Sequence, residues 1–168
     1  MMGIVESRRR RGMVLHSPDF LNGMELALDG SWLETQTLKD MFEMRMMLEI
    51  GIADFIFGQK KDQLVKKLEK IIAREKLVEK ESQRMRVDAD FHAALFDATG
   101  NNSLVRFQKM LYPLFAKYAS KRIKYQSEPA IKHEDLLDEI KTGTPDSFRI
   151  AMRKHLDPHF QVQLGQDV

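Results

Sequence analysis

The sequence predicts an all-α protein: an antiparallel helical bundle of six to seven helices, preceded by a short N-terminal β-hairpin. Three observations carry that expectation. From Leu33 to Phe160, Leu, Met and Phe recur at spacings of three and four, the period of a helix with one buried face. Over the same stretch β-branched residues rarely alternate with polar ones, as a half-buried strand would require. Turn-forming groups such as Asp29-Gly30-Ser31, Thr99-Gly100-Asn101 and Thr144-Pro145-Asp146 cut the pattern into helix-sized lengths. Long helices with short connections pack as antiparallel neighbours.

Residues 1–15 depart from the helical period. Two short apolar runs flank a basic Arg-Gly turn there, the pattern of a small β-hairpin. Ser17-Pro18 then opens a short helix to about Leu28, which Asp29-Gly30-Ser31 ends. The first long helix runs from about Leu33 to Phe57 and is closed by Gly58. A second, from Lys61 to Lys80, places Leu64, Leu68, Ile71 and Ile72 on one side, and its dense charge reads as a solvated face. The third covers Arg84 to Ala98, with Gly100 suited to a left-handed cap. The fourth runs from Ser103 to Tyr125 with a bend expected at Pro113. Ser127-Glu128-Pro129 forms a turn, and the fifth helix spans Ile131 to Lys141, capped by Gly143. Thr144 as N-cap and Pro145 at the first helical position begin the sixth. No internal repeat or low-complexity tract interrupts the series.

A chain of 168 residues buries one good core. Cysteine is absent, which removes disulfides, thiolate metal sites and cysteine nucleophiles together, so any metal must sit on nitrogen and oxygen. No run of eighteen apolar residues and no signal-like N-terminus is present, so the expectation is a cytoplasmic protein without a membrane span. The net charge is +2, and with Arg8, Arg9, Arg10 and Arg11 set aside the remaining chain carries −2. Basic character is therefore local, and the body is a poor general binder of nucleic acid.

Chemistry concentrates on the apolar stripes. Asp88 and His92 stand four apart, so about 100° of rotation per residue sets both on one helix face, which also bears Phe91, Leu95 and Ala98. Both are expected to point into the bundle. His133 lies on the stripe of Leu136, Leu137 and Ile140, and His155 on that of Phe148 and Met152. Bundle cores build metal sites from such facing side chains, although a core histidine bonded to a backbone carbonyl is the plainer reading of each one alone. His159 is the rival ligand to His155, and His16 falls in a connector. A His/His/His/Asp set suits zinc, nickel, manganese or iron, with zinc or nickel favoured, and leaves positions open for water or a carboxylate. Arg45 interrupts the expected inward stripe of Leu38, Met41, Phe42, Leu48 and Ile52. There it either pairs with Glu49 or clamps an anionic ligand.

These residues resemble a known family. The strings Glu43–Glu49 (EMRMMLE) and Asp88–Asn101 (DADFHAALFDATGN), His133, and Ala151–Leu156 (AMRKHL), with 22 residues from His133 to His155, are similar to the FCD domain of FadR-type GntR transcription regulators. The resemblance covers about residues 18–160. It implies an FCD-like bundle over 17–162 whose Asp88, His92, His133 and His155 hold a divalent metal, with a small carboxylic acid completing the sphere and meeting Arg45. It also implies a homodimer that regulates transcription and is not an enzyme. Residues 1–16 resemble the wing hairpin that ends a winged helix-turn-helix domain, with Arg8 to Arg11 at its basic turn. The recognition helix that reads sequence in that family is outside this chain, so operator DNA is an expected partner only where that domain is present. Two other readings compete: a metal-dependent enzyme on a helical bundle, and a metal-free dimerisation scaffold.

Overall fold

The computed structural model describes residues 5–8, 12–15, 21, 34–58, 61–122 and 129–158, and among these described residues two short strands and seven helices are delimited. The strands β1 (Val5–Arg8) and β2 (Gly12–Leu15) pair antiparallel, with Val5 opposite Leu15 and Arg8 opposite Gly12. This is the hairpin expected from the two apolar runs. The helices are α1 (Thr35–Gly51), α2 (Ala53–Ile56), α3 (Lys61–Glu75), α4 (Glu81–Ala98), α5 (Asn102–Arg122), α6 (His133–Thr142) and α7 (Pro145–His155). Of the helix expected over 18–28 only Leu21 is described, and it is helical; the turn residues 127 and 128, and Arg9, Arg10, Arg11, His16 and His159 lie outside the described residues.

Local chemistry accounts for most of the boundaries. The helix expected to run unbroken from Leu33 to Phe57 is instead interrupted after Gly51. The Ile52 amide closes the last turn on the Leu48 carbonyl at 3.0 Å, and α2 restarts for one turn. Glycine costs about 1 kcal/mol relative to alanine inside a helix, which makes this the weakest point of the segment. The charged helix ends at Glu75 and does not reach Lys80; a turn at Lys76 and Leu77 separates it from α4. Gly100 follows α4 at φ 71°, the left-handed conformation that glycine adopts without strain. Asn101 then caps α5, its Oδ1 accepting from the Leu104 amide at 3.1 Å.

The α6–α7 junction is the tightest. Asp135 accepts a hydrogen bond from the Lys132 amide at 2.7 Å, so α6 starts at His133, two residues later than the spacing suggested. Gly143 ends α6 for reasons of space and not of handedness. Its φ is −87°, but a Cβ there would lie 2.8 Å from the Glu139 carbonyl oxygen and clash with the Glu139 carboxylate. Thr144 caps α7 as expected, with its Oγ1 accepting from the Ser147 amide at 3.2 Å and the Ser147 hydroxyl accepting from the Thr144 amide at 2.9 Å.

Helix α3 packs on α4 and α6, α4 on α5, and α6 on α7, while α1 lies against α4, α5 and α7. Between them Leu68, Phe91, Leu95, Leu136, Ile140, Phe148 and Met152 are fully buried. On α1 the buried line is Phe42, Met46 and Glu49, continuing to Ala53 at the start of α2, and it is rotated from the expected stripe, so Met41 and Leu48 are only partly covered and Arg45 stands at the border. Among the described residues no helix is long and apolar enough to cross a membrane. The burial pattern makes a direct prediction for urea unfolding. Leu68→Ala, at a position 0% exposed, should lower the unfolding free energy by about 2–5 kcal/mol. Leu77→Ala, at a position 83% exposed, should change it by less than about 0.5 kcal/mol.

Candidate metal centre

Five helices meet where the bundle turns polar. Asp88 and His92 come from α4, His133 is the first residue of α6, and His155 is the last of α7. Glu49 approaches from α1, and Glu75 from the final position of α3. All three histidines are buried. One ligand atom from each of Asp88, His92, His133 and His155 falls within 4.8 Å of all the others. The four residues singled out from the sequence are therefore gathered at one point. One detail of that expectation needs correction: the Asp88 side chain is 50% exposed and sits at the rim, because its helix face meets solvent one turn before His92.

Each imidazole has an outer and an inner nitrogen. His133 Nδ1 donates to the Glu75 carboxylate, 3.0 and 2.9 Å from its two oxygens. His155 Nδ1 donates to the Ile131 carbonyl at 2.8 Å. His92 Nδ1 lies 3.1 Å from Glu49 Oε2, though off the line of a hydrogen bond. The Nδ1 bonds of His133 and His155 turn the Nε2 atoms of those rings toward the shared point, while His92 Nδ1 and Glu49 Oε2 are buried without a hydrogen-bond partner. His133 Nε2 and His92 Nε2 lie 3.5 and 3.7 Å from Asp88 Oδ1. His133 Nε2 is buried with no hydrogen-bond partner. Phe91 stacks on the His133 ring, 4.0 Å between centroids, and so fixes the plane in which that nitrogen points.

These residues fit a divalent ion. Bonds of about 2.1 Å place ligand atoms roughly 3.0–4.2 Å apart, and the 3.5 and 3.7 Å separations from Asp88 Oδ1 to His133 and His92 Nε2 fall in that range. Three nitrogens and one carboxylate oxygen are the donors that a borderline cation takes. The stranded buried nitrogen is the kind of atom that needs a partner.

Arg45 Nε donates to Glu49 Oε1 at 2.6 Å, so the pairing considered from the sequence does form. Glu49, fully buried, thus spans Arg45 on one side and His92 on the other. Burial alone would raise the Glu49 carboxyl, but Arg45 and then His92 outweigh it and hold it at about 2. Desolvation would likewise raise Asp88, yet the neighbouring His133 and His92 imidazoles and Arg45 keep it well below the usual carboxylate range. Asp90, on the far face of α4, pairs with Arg74 at the surface.

Glu75 was not legible as a site residue, because the charge on α3 read as a solvated face. A signal was nonetheless present: Glu75 follows Leu68, Ile71 and Ile72 at seven, four and three residues, on the line of their buried stripe.

The two helix-end histidines are driven in opposite directions. Burial would lower His133, but Asp88 and Glu75 raise it to about 9. Burial, then the proximity of His92 and His133, pushes His155 down to about 4. In chelator-treated protein His133 therefore contributes stability that is fully present below the unfolded value of 6.5 and lost as pH rises through about 9. His155 contributes stability present above 6.5 and lost as pH falls through about 4. Thermal melts across this range should show both limbs, with His133→Gln removing the alkaline one and His155→Gln flattening the acidic one.

Comparison with known proteins agrees with this architecture. The FCD domain family model matches residues 40–158, a span that holds every residue of the cluster. The chain is 28% identical to the Uxu operon regulator of Haemophilus influenzae (strain ATCC 51907 / DSM 11121 / KW20 / Rd), over 74% of this chain and 56% of that protein. It thus spans little more than half the length of that relative. The solved structure of Streptococcus agalactiae GntR shares the fold at a TM-score of 0.57 and 21% identity, covering 98% of this chain and 76% of that one. With a bundle of the right kind and a family match over most of its length, the chain belongs to the FCD domain family.

Proposed function

We propose that this chain is the effector-sensing part of a GntR-type transcription regulator of the FadR subfamily. In this reading Asp88, His92, His133 and His155 hold one divalent transition metal, with zinc or nickel favoured over manganese or iron. A small carboxylic acid completes the coordination sphere and meets Arg45. The observation that carries the reading is the arrangement of the imidazoles: Nδ1 of His133 and of His155 engaged by oxygen, and a buried inner nitrogen, His133 Nε2, left without a partner beside Asp88. The regulator name of the Haemophilus relative and the FCD match support the sensing role.

The metal would supply open positions for an anionic ligand, and the protein's own groups do the rest. Arg45 offers a guanidinium next to those positions while Glu49 anchors its Nε. An effector acts only through a difference in affinity between two arrangements of the bundle. That difference would alter how a homodimer holds its DNA-binding modules, with residues 1–16 as the end of a wing and 17–162 as the sensing domain. Arg8, Arg9, Arg10 and Arg11 would meet phosphate there without reading sequence. A cytoplasmic location follows from that role. Catalysis is the weaker reading, since a hydrolytic centre needs a general base aimed at the open position. Asp90 is turned outward onto Arg74, and Glu49 is held between Arg45 and His92.

Elemental analysis of the purified protein, before and after chelation, tests the proposal beside Asp88→Ala and His133→Ala. The expected result is about one transition metal per chain in the parent and none retained by either variant. Folded protein that takes up no zinc, nickel or manganese when these are offered would overturn it.

A further inference from the structure

The end of α3 meets the start of α6 through two consecutive pairs. Lys76 Nζ bridges to Glu134 at 2.9 Å, with both side chains largely in solvent. One residue back on each helix, Glu75 receives the Nδ1 proton of His133 on both carboxylate oxygens. The first pair is an ordinary surface contact worth little. The second differs in kind, because its histidine is buried, stacked on Phe91, and turns its other nitrogen to the point shared with Asp88, His92 and His155.

We infer that Glu75 is a positioning residue of the metal centre, holding His133 with its proton on Nδ1 and its lone pair on Nε2. This inference rests on the metal-binding reading above. An imidazole ligates through one nitrogen only when the proton stays on the other, and an acceptor at that other nitrogen fixes both tautomer and ring orientation. Glu75 supplies the acceptor from outside the ligand set, and its bidentate approach leaves the ring little freedom to flip. Charge argues the same way. With His133 ligating as the neutral imidazole, Asp88, Glu49 and Glu75 against Arg45 leave two negative charges, which one divalent cation offsets. Glu49 stands in the corresponding place beside His92, but it is fully buried on Arg45, so replacing it would disturb the fold. Glu75 is 34% exposed and can be changed without leaving a buried charge.

The experiment is a zinc titration against a competing chelator on the whole chain, for the parent, Glu75→Ala, Glu75→Gln and the neighbouring control Glu134→Gln. Glu75→Ala should weaken zinc about 10–100-fold. Glu75→Gln, whose carbonyl still accepts the proton, should recover part of that loss, and Glu134→Gln should match the parent. In the zinc-loaded parent, proton NMR should show a downfield, slowly exchanging Nδ1–H of His133 that disappears in Glu75→Ala, a signature that general destabilisation would not produce. Glu75→Ala that binds zinc as tightly as the parent, or that keeps the protected Nδ1–H, overturns the inference and leaves the metal-binding reading intact. A parent that binds no zinc, nickel or manganese overturns the metal-binding reading itself, and this inference with it.

Discussion

Three imidazoles share one small region of an apolar core, and each brings two ring nitrogens that must be accounted for there. A buried polar nitrogen without a partner costs on the order of 1–3 kcal/mol. The helices answer part of that demand from outside, with Glu75 at His133 and the Ile131 carbonyl at His155. His92 Nδ1 beside Glu49 and His133 Nε2 on the inner side, where Asp88 leans in from the rim, are left unanswered. Much of the architecture around the cluster makes sense as a means of bringing those outer acceptors into place.

The ends of the helices matter more than their middles. His133 opens α6 and His155 closes α7, so the turn between these helices sets the distance between the two rings, 5.0 Å from centroid to centroid. That turn is locked by the Thr144–Ser147 exchange and by a glycine at position 143, where a side chain would strike Glu139. Glu75–His133 then pins the start of α6 to the end of α3. A cluster assembled from several helices can be rearranged by small rotations of whole helices. A cluster carried by a single helix could not.

The same arrangement suits the proposed sensing role. Residues from α4, α6 and α7 form the cluster, and Glu49 and Glu75 extend it to α1 and α3, so any change at the centre reaches five packed elements. Packed helices move between discrete arrangements and do not deform smoothly, which lets a local change in coordination become a change in how helices are held. Arg45 belongs to this set through Glu49, and in the proposed reading an incoming carboxylate would share its guanidinium with that buried acid.

The periodicity of Leu, Met and Phe was enough to establish an all-helical chain, because burial of one face writes a period of three and four into the sequence whatever the partner helix is. Thr144-Pro145, Gly100 and the two apolar runs of the hairpin were legible for a similar reason, since caps and tight turns depend on the residue itself. Asp88, His92, His133 and His155 could be named because each polar residue fell on an apolar stripe, a conflict visible without coordinates. Tertiary structure alone decided the rest. The buried line of α1 lay one position round from the expected one, because neighbouring stripes share Phe42 and Ile52 and only the packing partners choose between them. The break after Gly51 depended on how α1 and α2 each meet the core. Glu75 was hidden among the charges of α3, since a carboxylate at the end of a charged helix looks the same in sequence whether it faces water or a histidine 58 positions away.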